Sequence, residues 1–215
     1  MVVDQNILSL FVSVCFVCFT VLVAFLLYRF LHLRNETVRK LIHITVSNWV
    51  FILVYGFDNI GYALLGPIMF IFINTVFVYG GFGRYLGMGD RKRDNGLIYF
   101  PITLLILTLS YYKGIMRKCD VILGVLAMGY GDGLAALIGS RIGKHKYNAF
   151  GANKSYEGSF VMFVTTLVIA LLLDYSIPVS VIVAVVATIL ESITPLGLDN
   201  LTVPIMTALI GVISC

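Results

Sequence analysis

The sequence predicts an all-α, polytopic integral membrane protein with seven or eight transmembrane helices. Three observations carry this. Of the 215 residues, 60% are hydrophobic and only 12% are charged, against roughly 25% charged in a soluble domain. Several apolar runs exceed the roughly 18 residues needed to cross a hydrocarbon core of about 30 Å. Mean hydropathy is +0.98, more apolar surface than soluble packing can hide. Helices follow because an unclosed sheet cannot satisfy its backbone in lipid.

Taken in order, the apolar runs and their polar interruptions place spans at Ile7–Leu31, Leu41–Phe57, Ile60–Tyr79 and Gly96–Tyr112. Further spans follow at Val121–Ile142, Gly158–Leu173, Ile177–Ile193 and Leu201–Cys215, the last short for a full crossing. Met1–Gln5 carries Asp4 and no Lys or Arg, and the apolar run after it is too long for a signal-peptide core. The first run therefore reads as a retained span. Residues 1–35 form an N-terminal span and basic loop, and residues 36–215 the main membrane domain. Cys15 and Cys18 make a C-x-x-C inside an apolar run, without the further ligands zinc requires or the soluble βα context of a redox motif. They read as simple thiols.

Net charge is +4, too small to point to nucleic acid. Its distribution says more. Twelve of the fifteen Lys and Arg fall in the loops after spans one, three and five: Arg29, Arg34, Arg39, Lys40, Arg84, Arg91, Lys92, Arg93, Arg141, Lys144, Lys146 and Lys154. The positive-inside rule puts these loops in the cytoplasm and the N-terminus outside. Glu36, Asp90, Asp94, Asp132, Glu157, Glu191 and Asp199 fall on or near the same side. Acids contribute little to orientation, so mixed charge with glycine at these helix ends fits a cytoplasmic site for a metal-bound polyphosphate.

The densest polar stretch runs from Gly129 to Lys144. Asp132 lies inside an apolar run, where a carboxylate costs roughly 2.5–3.5 kcal/mol by insertion scales. Gly131, Ala135, Gly139 and Gly143 recur every four residues beside a second stripe of Asp132, Ala136, Ser140 and Lys144, ending near Arg141. Small residues at this spacing serve close helix packing or close approach of a polyphosphate to backbone. Packing alone gains nothing from the buried charge of Asp132. Next, Lys154, Ser155 and Glu157 lead into a helix at Gly158, where free N–H groups and a lysine favour phosphate. Glu157 tolerates phosphate there only through a divalent cation, and a solvated loop with a capping serine is the plainer alternative. No Walker A loop is present. Glu36, Lys40, His43 and Ser47 share one helical face. Asp199 and Asn200 offer oxygen ligands or a simple Asx-turn, and Asn95 and Tyr99 lie one turn apart.

Five motifs occur in order: Arg39-Lys-x-x-His43, Asn95-Gly-x-x-Tyr-x-Pro101, Gly131-Asp-Gly with Gly139 and Gly143, Lys154-Ser-x-Glu-Gly158, and Asp199-Asn200 with Pro204. Together they resemble the membrane-integral CTP-dependent lipid kinases, namely dolichol kinase, phytol and farnesol kinase, and the CTP-using diacylglycerol kinase. The likeness runs from about Glu36 to Pro204. The glycine–aspartate helix with Lys-Ser-x-Glu-Gly is also similar to phosphatidate cytidylyltransferase. The resemblance implies transfer of the γ-phosphoryl group of CTP to a lipid alcohol, with Mg²⁺. It implies Asp132 as metal ligand, Lys154 as phosphate clamp, Glu157 at or beside the metal, and Asp199 as a further catalytic ligand. Gly131, Gly133, Gly139, Gly143, Arg141, Lys144 and Ser155 would cradle the nucleotide, and Arg39, Lys40, His43, Asn95 and Asn200 would complete the polar site. Asp132, Glu191 and Asp199 are all candidates to accept the alcohol proton. The compactness of the chain beside the longer dolichol kinases points to the phytol, farnesol or short-polyprenol branch.

Two other readings fit the same residues: cytidylyl transfer, with pyrophosphate leaving, and a transporter, which intramembrane Asp132 and Glu191 permit. Single cysteines at Ser155 and Asp90, in a cysteine-free background, are expected to label from the cytoplasm, and one at Asp58 from outside. Labelling of Ser155 and Asp58 from one side discards this topology.

Overall fold

The computed structural model describes residues 4–31, 33, 35–80, 94–150 and 152–214. Helix α1 (Gln5–Leu31) is followed by α2 (Asn35–Ser47) and α3 (Trp49–Gly56), which continue one another across a break at Asn48. Helices α4 (Ile60–Tyr79) and α5 (Gly96–Tyr112) form the next pair. Helix α6 (Lys118–Leu126) widens into one π-helical turn, Ala127–Asp132, before α7 (Gly133–Ile142). An antiparallel hairpin of β1 (Lys146–Ala149) and β2 (Ala152–Ser155) precedes α8 (Tyr156–Leu172), α9 (Ile177–Ile193) and α10 (Asp199–Ile213).

These elements coincide with the eight apolar runs to within a few residues, and the all-helical class holds for the bundle. The hairpin is a correction to it. In the register Tyr147↔Lys154, the Tyr147 hydroxyl donates to Ser192 Oγ at 2.7 Å and lies 2.6 Å from Ser159 Oγ. One side chain thus pins the hairpin to α8 and α9. Among the described residues, four segments are long and apolar enough to cross a membrane: Gln5–Phe30, Glu36–Gly56, Ile60–Tyr79 and Lys118–Ile142. The other four apolar helices have only 15 to 17 residues, about 22–26 Å at 1.5 Å per residue. Length and composition therefore support four crossings among the described residues, and do not by themselves establish the expected seven or eight.

The outer faces are apolar: Phe11, Phe72, Phe160, Leu172 and Ile177 are all exposed, the pattern of a bundle solvated by lipid. Cys15 and Cys18 are free and exposed among them. The core gathers Trp49, Leu53, Leu107, Val121, Met128 and Met162. Helix α1 is tied to it by hydroxyl groups, with Ser9 Oγ donating to the Gly56 carbonyl at 2.6 Å and Trp49 Nε1 donating to Ser13 Oγ at 2.9 Å. Arg34, Arg84, Asp90, Arg91, Lys92 and Arg93 lie outside the described residues.

At one end of the bundle Asp120 is fully buried. It accepts from the Arg117 backbone N–H at 2.8 Å, from Arg117 Nε and Nη2 at 3.0 and 2.7 Å, and from the Tyr175 hydroxyl at 2.5 Å. Arg117 also donates to the Gly211 carbonyl at 3.2 Å, so one carboxylate ties α6 to the α8–α9 connection and to α10. The hydrogen bond from Arg117 to Asp120 heads the influences that raise the arginine's pKa. Asp120 and Asp132 are separated by about 18 Å of helix. Asp120→Ala is expected to lower stability in detergent by about 1–3 kcal/mol, as buried donors lose their acceptor, with activity per folded molecule unchanged. Thermal unfolding and assay of the same sample check this. Lost activity at unchanged stability contradicts it.

Candidate active site

Asp132 is 2% exposed at the end of the π-helical turn, a feature often found at functional sites. The inserted residue changes which side chains face inward. Gly129 and Gly133 lie against α2, where a Cβ would collide with Ser47 and Ile44. Gly131 lies against Met162 and Thr166 of α8. Asp132 is left pointing between α2 and α8, where Lys40 donates to its Oδ2. Across the same space Lys154 of β2 donates to Glu191 Oε1 of α9. Two lysine–carboxylate pairs, from four different elements, thus face one another at one end of the bundle.

They line a cavity of about 570 Å³, shared with Arg39, Gly139, Ser155, Asp199 and Asn200. Arg39 donates from Nη2 to Glu36 at 2.7 Å, while its buried Nε has no partner. Asp199 and Asn200 reach the cavity through two consecutive left-handed residues, Leu196 (φ 62°) and Gly197 (φ 80°). Leucine adopts that conformation at a cost of about 1–2 kcal/mol, and such outliers cluster at functional sites. Asp199 Oδ1 accepts from the Asn200 backbone N–H at 2.9 Å and from Asn200 Nδ2 at 3.0 Å. Ser155 caps α8 by accepting from the Gly158 N–H at 3.1 Å. Its hydroxyl sits so close to Gly139 and Gly143 that a Cβ on either would come within 2.9 and 2.6 Å.

The structure brings together Asp132, Lys154, Asp199, Lys40, Arg39, Gly139, Ser155 and Asn200 from the sequence-predicted set. It places others elsewhere. The Glu157 carboxylate turns to the hairpin, accepting from the Lys144 and His145 backbone N–H groups at 3.2 Å each, with His145 Nδ1 at 2.8 Å. Gly131, Gly133 and Gly143 serve close packing rather than the cavity wall. Arg141 and Lys144 are exposed beyond its rim, and Asn95 accepts from the Tyr79 hydroxyl at 3.2 Å. His43 faces an adjoining apolar chamber and packs edge-on against Phe100. Three charged lining residues fall outside the predicted set, among them Glu36, which shares a helical face with Lys40. Glu191 was read only as a possible proton acceptor, and Lys146 only as part of a basic loop. The apolar i−4 spacing around Glu191 was the available signal, since a carboxylate ending an apolar helix needs a partner. Among the described residues, no group of three or more His, Cys, Asp or Glu is arranged to hold a metal unaided.

Burial opposes the charge on Lys154, but Glu191, Asp132 and Asp199 together outweigh it, so its pKa is raised above the ordinary lysine value of 10.5. Lys154 is thus a half-buried lysine held cationic by the acids around it.

The class this defines is an apolar helical bundle with a charged cavity at one end, and comparison with known proteins narrows it. The chain is 38% identical over 128 residues to a phytol kinase of Synechocystis, covering 56% of this chain and 54% of that one. It is 35% identical over 86 residues to a dolichol kinase of Schizosaccharomyces pombe, covering 37% of this chain and 17% of that one. A probable chloroplastic phytol kinase of Oryza sativa is 26% identical over 206 residues, covering 80% of this chain and 64% of that protein. No protein-family model and no solved structure matches the chain. These homologues bear out the resemblance read from the motifs and indicate the membrane lipid-alcohol kinases. The chain spans about half the length of the phytol kinases it matches, so its compactness carries no information about which alcohol is used.

Because the folded pKa of Lys154 lies above the unfolded one, its contribution to stability is fully present below the unfolded value and lost as pH rises through the folded value. The stability difference between wild type and Lys154→Met is therefore expected to stay flat from neutral pH to about 9.5. Thermal unfolding across that window checks it, and a difference that narrows there contradicts the geometry.

Proposed function

We propose that this protein is a lipid-alcohol kinase that transfers the γ-phosphoryl group of CTP to a membrane lipid alcohol, giving a lipid monophosphate and CDP. The acceptor classes are isoprenoid alcohols such as phytol, farnesol or dolichol, with diacylglycerol as the other lipid alcohol. The observation that carries the reading is the convergence of Lys40, Lys154, Asp132, Glu191 and Asp199 on one cavity. The names of the relatives supply the phosphoryl-transfer chemistry and the alcohol, and the motif resemblance supplies CTP.

Phosphoryl transfer is mainly positioning and neutralisation of charge. In this reading Lys40 and Lys154 exchange carboxylate oxygens for phosphate oxygens when the nucleotide enters, and Arg39 adds a third cation at the rim. Asp132 and Asp199 suit Mg²⁺, which takes one or two carboxylates and otherwise phosphate oxygens and water, so the lack of a larger ligand cluster is no obstacle. Those two carboxylates would hold the ion, and it would supply neutralisation of the phosphate charge. Glu157 stays outside that role because it does not line the cavity, its Oε1 accepting from the Lys144 and His145 N–H groups just before the hairpin. The bond that forms joins the alcohol oxygen to the γ-phosphorus, and the bond that breaks joins that phosphorus to the bridging oxygen of CDP. The alcohol proton passes to a carboxylate of the cluster. The four shorter helices complete a seven- or eight-span bundle, with this end in the cytoplasm where CTP is available.

Purified protein given γ-labelled CTP, Mg²⁺ and a panel of lipid alcohols is expected to yield labelled lipid monophosphate and CDP. Asp132→Asn is expected to insert normally and lose at least about 100-fold in kcat, and Lys154→Ala to lose both kcat and CTP affinity. Release of pyrophosphate in place of CDP would establish cytidylyl transfer instead. Equal turnover with ATP would overturn CTP as the donor.

A further inference from the structure

A second cavity, of about 210 Å³, adjoins the first and shares Arg39, Lys40, Asp132 and Asn200 with it. Its remaining lining is almost entirely apolar and comes from faces that run away from the charged end. On α2 and α3 the face reads Arg39, His43, Val46, Trp49, one stripe descending about 15 Å at 1.5 Å per residue. That is about half of a hydrocarbon core of about 30 Å. On α4, Gly66 and Phe70 follow the same stripe in the opposite direction to Asn74, whose Nδ2 donates to the Leu97 carbonyl at 2.6 Å. Phe100 and Leu104 of α5 close a third side.

The floor is Trp49. Its indole is fixed by the hydrogen bond to Ser13 and lies so close to Gly66 that a Cβ there would approach the ring to 3.0 Å. The fourth wall is α1, through Val17 and Val21, and Val21 is 56% exposed at the outer edge. The chamber is thus polar at one end, closed by an aromatic floor at the other, and open sideways toward lipid.

We propose that this chamber is the acceptor site, and that it selects a single-chain isoprenoid alcohol with its hydroxyl at Asp132 and Asn200. This rests on the kinase reading and names the substrate class for it. Asp132 lines both cavities, so an oxygen placed beside it from the apolar side meets a phosphate placed beside it from the polar side. His43 Nε2 is buried in the chamber wall without a hydrogen-bond partner, and a buried polar atom of that kind needs one. A lipid hydroxyl supplies it. An apolar cavity of about 150 Å³ takes a benzene-sized molecule, so this one takes roughly one to two isoprene units of one chain. The rest of the alcohol leaves past Val21 between α1 and α4. Diacylglycerol, with two acyl chains beside its hydroxyl, does not fit.

The test uses a farnesol analogue carrying a diazirine on its second isoprene unit, with the full chain in detergent or vesicles. Label is expected on α1 near Val17–Val21 and on α4 near Gly66–Phe70, displaced by unlabelled farnesol. Val17→Trp, and the milder Val21→Trp at the exposed edge, are expected to weaken labelling. They should raise KM for the alcohol by roughly tenfold while leaving KM for CTP unchanged. Undisplaced label spread over outer residues such as Phe72 and Phe160 overturns the proposal. So does an unchanged alcohol KM in both folded variants, or better turnover of diacylglycerol than of farnesol. Displaceable label in the chamber without any phosphoryl transfer would leave the site standing and remove the kinase reading.

Discussion

Two buried carboxylates and the two half-buried lysines paired with them, at one end of an apolar bundle, constrain everything built around them. Lys40 and Asp132, and Lys154 and Glu191, come from α2, the π-helical turn, β2 and α9, and none tolerates burial unpaired. Removing one partner of such a pair costs several kcal/mol, yet the intact pair contributes little net stability over apolar residues of the same size. Folding therefore gives no reason to keep them. On the proposed reading, each carboxylate satisfies a lysine until a phosphate oxygen replaces it, so the cations need not be created when the nucleotide enters. The cost of preorganisation falls on the folded protein, where the core under Met128 and Met162 supports it.

The backbone devices near the site follow from holding those four groups at fixed positions. Gly129 and Gly133 let the π-helical turn approach α2, and Gly139 and Gly158 let α7 cross α8 nearly in backbone contact. Without both approaches Asp132 could not reach Lys40 while α8 carries Lys154 on its preceding strand. The strained turn at Leu196 and Gly197 does the same for Asp199 and Asn200. The Asn200 carbonyl then accepts from Thr103 Oγ1 at 2.8 Å, linking α10 to α5.

Much of this was legible in the sequence because it is written in single residues set against an apolar background. The span positions follow from run lengths; Asp132 stands out because a carboxylate inside an apolar run is expensive, and Lys154 because it leads into a helix start. What could not be read is pairing between distant elements. Local spacing made Glu157 look like the acid beside Lys154, but a strand at Ala152–Ser155 turns the lysine toward Glu191 instead. The hairpin itself has a short, unpatterned sequence whose strands are held by Tyr147 rather than by alternation. The glycine stripe has two physical uses with one spacing, and only the neighbours Met162, Ile44 and Ser155 decide between them. Helix α1 lies outside the motif likeness, yet its Val17 and Val21 wall a cavity that reaches Asp132.

That last arrangement bears on a problem any such enzyme faces. A phosphoryl donor in an aqueous cavity reacts with water unless the acceptor is held far better than water is. Closing a site to solvent normally takes a lid. Here the acceptor, on the reading above, arrives from the hydrocarbon side, where water is scarce, and the donor from the polar side. Arg39, Lys40, Asp132 and Asn200 line both cavities and mark where they meet. An alcohol chain filling the apolar chamber excludes water from the position beside Asp132 merely by being bound. Proximity of this kind converts an encounter between a lipid and a soluble nucleotide into a reaction between neighbours, which is the largest entropic advantage an enzyme can give such a pair. The bilayer itself then acts as the closed wall of the active site, and the charged end of the bundle as its open one.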